Sequence, residues 1–129
     1  MVKIRQILLF IMFSFVTVAV NAQNEVDVIV QTLQTANFSN LLPFWDEAVE
    51  VTLLDMVNQK QMTAKEANQQ LQSFFNTKNI VGFEKNAERK VGNTIYVTGK
   101  LLSGQNKYSL TLLLQVEKKT LHIVSVRVS

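Results

Sequence analysis

Residues 94–117 read TIYVTGKLLSGQNKYSLTLLLQVE, and this stretch decides the fold. Apolar and polar residues alternate on either side of the polar segment 104–107, a pattern typical of two half-buried strands joined by a reversal. A four-residue loop over 104–107 predicts antiparallel pairs whose apolar side chains share one face, as a one-sided core requires. These pairs are Leu101/Leu110, Gly99/Leu112, Val97/Leu114 and Ile95/Val116.

The chain after this hairpin predicts a further strand of the same sheet. A three-residue loop over 118–120 predicts the pairs Leu114/Val124, Leu112/Val126 and Leu110/Val128. The same register places His122 beside Val116, at the edge of the buried face. It places Tyr96 on the outer face, beside Gln115 and Ile123. A sheet with one buried and one open face is therefore expected.

The strand before residue 94 fits this scheme less simply. Gly92-Asn93 suits a two-residue hairpin turn, because glycine readily adopts the positive φ that such turns require. A strict turn there puts Glu84, Asn86 and Glu88 on the buried side. Either a bulge shifts the register, or the concave face of the sheet holds a polar cavity at this point. The sequence leaves both alternatives open.

Helical periodicity dominates the first part of the chain. An apolar stripe at i, i+3, i+4 and i+7 predicts a helix over residues 24–37, with Asn24 as its cap. A shorter helical piece over 39–45 is expected to end near Pro43, which cannot continue a helix interior. Strict alternation then predicts a strand over 48–54, followed by a polar, turn-like segment over 55–61 with room for a very short second strand.

The capping residues of a second long helix are recognisable in the sequence. Thr63 and Glu66 have the spacing of a capping box, and the helix is expected to reach about Asn76. Its Gln- and Asn-rich side is expected to be solvated. Helices followed by a strand meander predict one α+β domain, with helices packed on a strongly bent antiparallel sheet. Six residues are expected to be mostly buried in its core: Leu71, Phe74, Val97, Leu112, Leu114 and Val126.

The N-terminus has the organisation of a secretory leader. Lys3 and Arg5 precede an apolar run over 7–20, and Ala22 ends a small-residue cleavage motif. The run is shorter than the roughly 20 residues that a membrane span requires. We therefore expect residues 1–22 to be a signal peptide and 23–129 to be a single domain. That domain is expected to be periplasmic or secreted, with no transmembrane anchor after processing.

The composition argues against nucleic-acid binding, metal binding and catalysis. Without the leader the formal net charge falls from +3 to +1, and the basic residues are scattered, so no nucleic-acid footprint is visible. The chain has no cysteine and a single histidine, which leaves no spacing typical of a metal site. No nucleophile–base arrangement, phosphate loop or carboxylate pair stands out. We expect no cofactor and no catalysis.

A family resemblance follows from short motifs spread over residues 26–128. In order they are Phe44-Trp45-Asp46, Val49-Glu50-Val51-x-Leu53-Leu54-Asp55, Glu66-Ala67, Leu71-x-x-Phe74-Phe75, Tyr96-x-x-Gly99-x-Leu101 and Val126-Arg127-Val128. With these motifs the chain resembles the exported bacterial family catalogued as domain of unknown function 4783. That family belongs to the nuclear-transport-factor-2-like, cystatin-like cone folds. The resemblance implies a fold and export, and it implies no activity.

Two functions remain open at this point. The first is binding of a small apolar or amphipathic ligand inside the cone, by Trp45, His122, Phe74, Val97, Leu114 and Val124. The second is a filled core with a weak homodimer through an outer-face patch of Tyr96, Leu102, Leu113 and Ile123. Enzymes of the cone-fold superfamily use a few polar residues inside the cone, but no matching set is recognisable here.

Overall fold

The computed structural model describes residues 25–54, 59–104 and 106–129. The predicted leader over 1–22, the helix cap at Asn24 and the first part of the turn after Leu54 lie outside these residues. Among the described helices, none has both the length and the apolar character needed to cross a bilayer.

Helices and strands follow the expected α+β order. Helix α1 covers 25–34 and α2 covers Phe38–Leu41, followed by a 3-10 turn over Leu42–Phe44 and, after two strands, by α3 over Ala64–Thr77. The strands are β1 Trp45–Leu53, β2 Gln59–Met62, β3 Gly82–Val91, β4 Thr94–Ser103, β5 Asn106–Glu117 and β6 Thr120–Val128. They form one sheet in the order β2-β1-β6-β5-β4-β3, in which only the β1/β6 pair is parallel.

The helix boundaries follow from local chemistry. The backbone N–H of Glu66 donates to the Thr63 hydroxyl oxygen (3.1 Å), and that hydroxyl donates to the Glu66 carboxylate (2.9 Å). The predicted cap of α3 is therefore confirmed. Pro43 lies in the first turn of the 3-10 helix, where its missing N–H costs no bond. The extended chain then begins at Trp45, earlier than the alternation over 48–54 indicated.

The register between β4 and β5 differs from the predicted one. The reversal takes two residues, with Gly104 at φ +54°, so that Ser103 pairs with Asn106 and Leu101 with Tyr108. Val97 consequently pairs with Leu112, and Ile95 with Leu114. The predicted pairs were wrong by two positions because the polar segment 104–107 is partly strand. A shift of two leaves every side chain on its predicted face.

The predicted β5/β6 register was wrong for a different reason. The turn is the two residues Lys118-Lys119, both at positive φ, and β6 carries a bulge in which Val124 is the extra residue. Leu112/Val126 and Leu110/Val128 pair as predicted, but Leu114 pairs with Ile123 and Gln115 with His122. Ile123 therefore points into the core and His122 outward, opposite to both predictions.

A bulge in β3 settles the choice left open by the sequence. Pairing from the Gly92-Asn93 turn is strict as far as Ala87, and Asn86 is then the extra residue. Glu84 and Asn86 are exposed as a result, while Phe83 is buried. Glu88 stays half-buried and makes an ion pair with Lys85 (2.7 Å).

The core fills the side of the sheet that the helices cover. Buried side chains of α1, α2, α3 and the strands form one apolar cluster, and we call this side the helix face. All six residues predicted to be buried belong to it, which confirms that prediction: Leu71, Phe74, Val97, Leu112, Leu114 and Val126. The opposite side of the sheet, the outer face, is not covered by any described helix.

Candidate functional site

Trp45 is a buried core residue on the helix face. It begins β1, is 5% exposed, and its indole N–H donates to the side-chain oxygen of Asn68 (2.9 Å). The Asn68 amide in turn donates to the carbonyl of Phe38 (3.1 Å), and the Phe38 ring packs edge-on against Phe75. These bonds hold the indole between β1, α2 and α3, where its N–H finds the partner that a buried tryptophan requires.

Asn68 is the residue of this cluster that sequence analysis missed. It lies on α3 among Gln and Asn residues that were expected to be solvated, yet it is 8% exposed. A signal was present, because Asn68 stands three residues before Leu71 and next to Ala67, on the apolar stripe of the helix. A buried amide on such a stripe needs polar partners, and Trp45 and Phe38 supply them.

The six predicted ligand-binding residues do not form one group. Trp45, Phe74, Val97 and Leu114 are buried within the core on the helix face. Val124 is the half-buried extra residue of the β6 bulge. His122 lies on the outer face, with its Nε2 2.9 Å from the Thr120 hydroxyl and its buried Nδ1 without a partner among the described residues. The predicted position of His122 at the rim of an inner pocket was therefore wrong.

A shallow hollow adjoins one of these six residues. Phe74 is one of its lining residues, near the C-terminal end of α3, and the Phe74 ring packs edge-on against Tyr108 with 5.6 Å between the ring centroids. The hollow measures about 220 Å³ and is lined by Leu53, Leu54, Gln70, Ser73, Phe74, Thr77 and Lys78. Its lining combines apolar side chains with hydroxyl, amide and ammonium groups.

A second opening, larger than this hollow, lies on the outer face. A groove of about 530 Å³ runs over β3 and β4 and is lined by Ala87, Arg89, Val91, Tyr96 and Thr98. Tyr96 and Val91 are 41% and 52% exposed, which is high for large apolar side chains. Exposed apolar surface that is contiguous and rimmed by polar groups is typical of interaction sites.

The outer face carries one straight row across five strands. Successive Cα partners are Glu50 on β1, Ser125 on β6, Leu113 on β5, Tyr96 on β4 and Arg89 on β3, and we call these residues the outer row. Tyr96 and Leu113 are thus direct cross-strand neighbours. Three of the four predicted patch residues, Tyr96, Leu102 and Leu113, lie on this face. Ile123 does not belong there, because the β6 bulge turns it into the core, where its exposure is 0%.

Charged and metal-binding chemistry is sparse in the described ranges. Within 25–54, 59–104 and 106–129, no three acidic or imidazole side chains come together in a way that could hold a metal ion. The Lys85–Glu88 pair lies on the strand at the sheet edge, with both side chains partly solvated. Surface pairs of this kind contribute little to stability.

Comparison with known proteins supports the family and fold predicted from the motifs. Residues 26–129 match the sequence model of a family described as domain of unknown function, DUF4783. No functionally curated protein matches the chain.

Three solved structures illustrate the likeness in fold. A DUF4783 family protein from Bacteroides ovatus superposes with a TM-score of 0.72 at 16% identity, over 78% of this chain and 90% of that chain. An NTF2-like protein of unknown function from Pseudomonas putida gives 0.63 at 7%, over 84% and 82%. A protein with a cystatin-like fold from Xanthomonas campestris gives 0.59 at 17%, over 80% and 84%. At such identities the likeness shows the fold alone, and the predicted nuclear-transport-factor-2-like, cystatin-like fold is confirmed.

Proposed function

The chain belongs to the DUF4783 family, and we propose that it is an exported, non-catalytic interaction module of the cell envelope. The module works through the outer face of its sheet, as a weak homodimer. One observation carries the proposal: Tyr96 and Leu113 are neighbours on a sheet face that no described helix covers, beside an open groove. The helix face, by contrast, is occupied by the protein's own side chains around Trp45.

The composition of the outer face supports a weak contact rather than an obligate one. Tyr96 and Leu113 supply the apolar centre that interfaces favour. Thr98, Thr111 and Ser125 surround it with hydroxyl groups that water satisfies in the free monomer. A self-association in the micromolar range or weaker is expected from so small an apolar centre, on the order of 10⁻⁶ to 10⁻⁴ M.

Export is the second part of the proposal. Lys3 and Arg5, the apolar run over 7–20 and the Ala22 cleavage motif support it. We expect the mature chain to begin at Gln23 and to be recovered outside the cytoplasm. N-terminal sequencing of the protein from fractionated cells tests this, and Met1 retained in a membrane fraction would overturn it.

Sedimentation velocity of the processed protein tests the homodimer. We expect the sedimentation coefficient to rise with concentration for the wild type, and to stay at the monomer value for Leu113→Lys. Val81→Lys is the matched control, because Val81 is 77% exposed and precedes β3, outside the outer row. A wild type that remains monomeric at millimolar concentration would overturn the homodimer.

A second candidate function is supported by the hollow beside Phe74. Its mixed lining suits a small amphipathic molecule, whose apolar part would cover Phe74 and whose polar part would meet Gln70 or Lys78. Native mass spectrometry of the protein from its own envelope tests this function. Bound mass that persists in Gln69→Arg but disappears in Ser73→Arg would support it, since Ser73 lines the hollow and Gln69 does not. Protein that carries no added mass would dismiss it.

A further inference from the structure

The outer row has opposite charges at its two ends and a leucine at its centre. Glu50 lies two strands to one side of Leu113, and Arg89 lies two strands to the other side. With about 4.8 Å between neighbouring strands, the two charged positions are roughly 19 Å apart across the sheet. Ser125 and Tyr96 occupy the positions between. The two charged residues therefore lie at equal distances from Leu113 and carry opposite charges.

We propose that two copies of this chain pack outer face to outer face about a two-fold axis parallel to β5, so that Glu50 of one copy meets Arg89 of the partner subunit. This arrangement rests on the homodimer proposed above. Leu113 of each copy then lies on the axis against its own counterpart. Each interface contains the Glu50–Arg89 pair twice, as the isologous contact of a two-fold dimer requires.

Charge decides between the two simple ways of stacking the faces. A two-fold axis that runs along β5 exchanges the two ends of the outer row, so each carboxylate faces a guanidinium. An axis that runs across the strands through Leu113 leaves the ends in place, so Glu50 would face Glu50 and Arg89 would face Arg89. Like charges that face each other are penalised, and opposite charges select the register of an interface. The outer row therefore favours the axis along β5.

The same axis places the groove of each copy against β6 of the partner subunit. The groove lies over β3 and β4 on one side of β5, whereas β6 is the neighbour of β5 on the other side. Ser125 of each copy then approaches Tyr96 of the partner subunit.

Charge reversal tests the pairing on the processed, full-length domain. Glu50→Arg and Arg89→Glu should each raise the dimer dissociation constant at least about tenfold, because two attractive pairs become two repulsive ones. The combined variant should return within about threefold of the wild type. Lys90→Glu, a charge reversal next to Arg89 on the opposite face of β3, is the control and should leave the constant unchanged. Circular dichroism of each variant shows whether it is folded.

Cysteine cross-linking tests the geometry without depending on the charges, because the natural chain has no cysteine. Sheets that pack face to face lie about 10 Å apart, so a short bismaleimide can join opposed thiols. The axis along β5 predicts efficient cross-linking for a mixture of Glu50→Cys and Arg89→Cys, and little for either alone. Cross-linking of each variant with itself would overturn the proposed axis.

The outcomes separate this inference from the proposed function. If Leu113→Lys abolishes the dimer while both charge reversals leave it intact, the outer face is the interface but the proposed axis is wrong. If the wild type does not self-associate, the homodimer and the axis fall together. If single reversals weaken the dimer and the combined variant restores it, both stand.

Discussion

At the scale of single residues, Asn68 is the most consequential polar group of the described core. It joins Trp45 on β1 to Phe38, the first residue of α2, through two hydrogen bonds. We expect Asn68→Ala to lower the free energy of unfolding by about 1–3 kcal/mol, because it leaves the buried indole N–H unpaired. Urea denaturation measures this. Gln69→Ala, on the exposed side of α3, is the control and should change stability by less than about 0.5 kcal/mol.

Leu112 tests the assignment of the helix face. Its side chain is 1% exposed and pairs across the sheet with both Val97 and Val126. We expect Leu112→Ala to cost about 2–5 kcal/mol, since the substitution leaves a cavity in a closely packed core. A loss below about 1 kcal/mol in chemical denaturation would contradict the packing.

At the scale of elements, the close approach of β3 to β4 depends on Gly99. A Cβ at this position would collide with the carbonyl oxygen of Glu84 and lie 2.6 Å from the Phe83 ring. Neither the backbone carbonyl nor the buried ring can move freely. We expect Gly99→Ala to destabilise the fold by about 1–3 kcal/mol, measured by thermal unfolding. Gly82→Ala is the matched control, because its nearest neighbour would be a leucine methyl at 3.6 Å. Equal effects from both would refute the role given to Gly99.

The two bulges explain which parts of the sheet could be predicted. Alternation correctly assigned the faces of β4 and β5, since an error of two positions does not exchange faces. Alternation could not predict which face Ile123 and His122 occupy, because the segment 121–126 has apolar residues at both odd and even positions. One extra residue at Val124 then exchanges the faces of the β6 residues that precede it. The outer row depends instead on the β4/β5 register and on the β1/β6 pairing, and neither was predicted from the sequence, so its charge pattern was beyond sequence reasoning.

At the scale of the whole molecule, the helix face and the outer face differ in how they are packed. The buried cluster around Trp45 is the source of stability in a chain that has no cysteine for a disulfide. The outer face carries Tyr96, Leu113 and the groove. Their exposure to solvent does not stabilise the monomer. Motif order was sufficient to predict the family and the fold. Alternation also placed three of the four predicted patch residues on the outer face, namely Tyr96, Leu102 and Leu113. The charges at the two ends of the outer row became apparent only when the strands were placed in register.

The most direct test of the outer-face interaction is a dilution series of the ¹⁵N-labelled processed protein, followed by amide chemical shifts. We predict concentration-dependent shifts for Tyr96, Leu113 and Ser125, and constant shifts for Gln70 and Ser73 beside the Phe74 hollow. Shifts that are independent of concentration up to the millimolar range, or that are confined to the hollow, would contradict the homodimer.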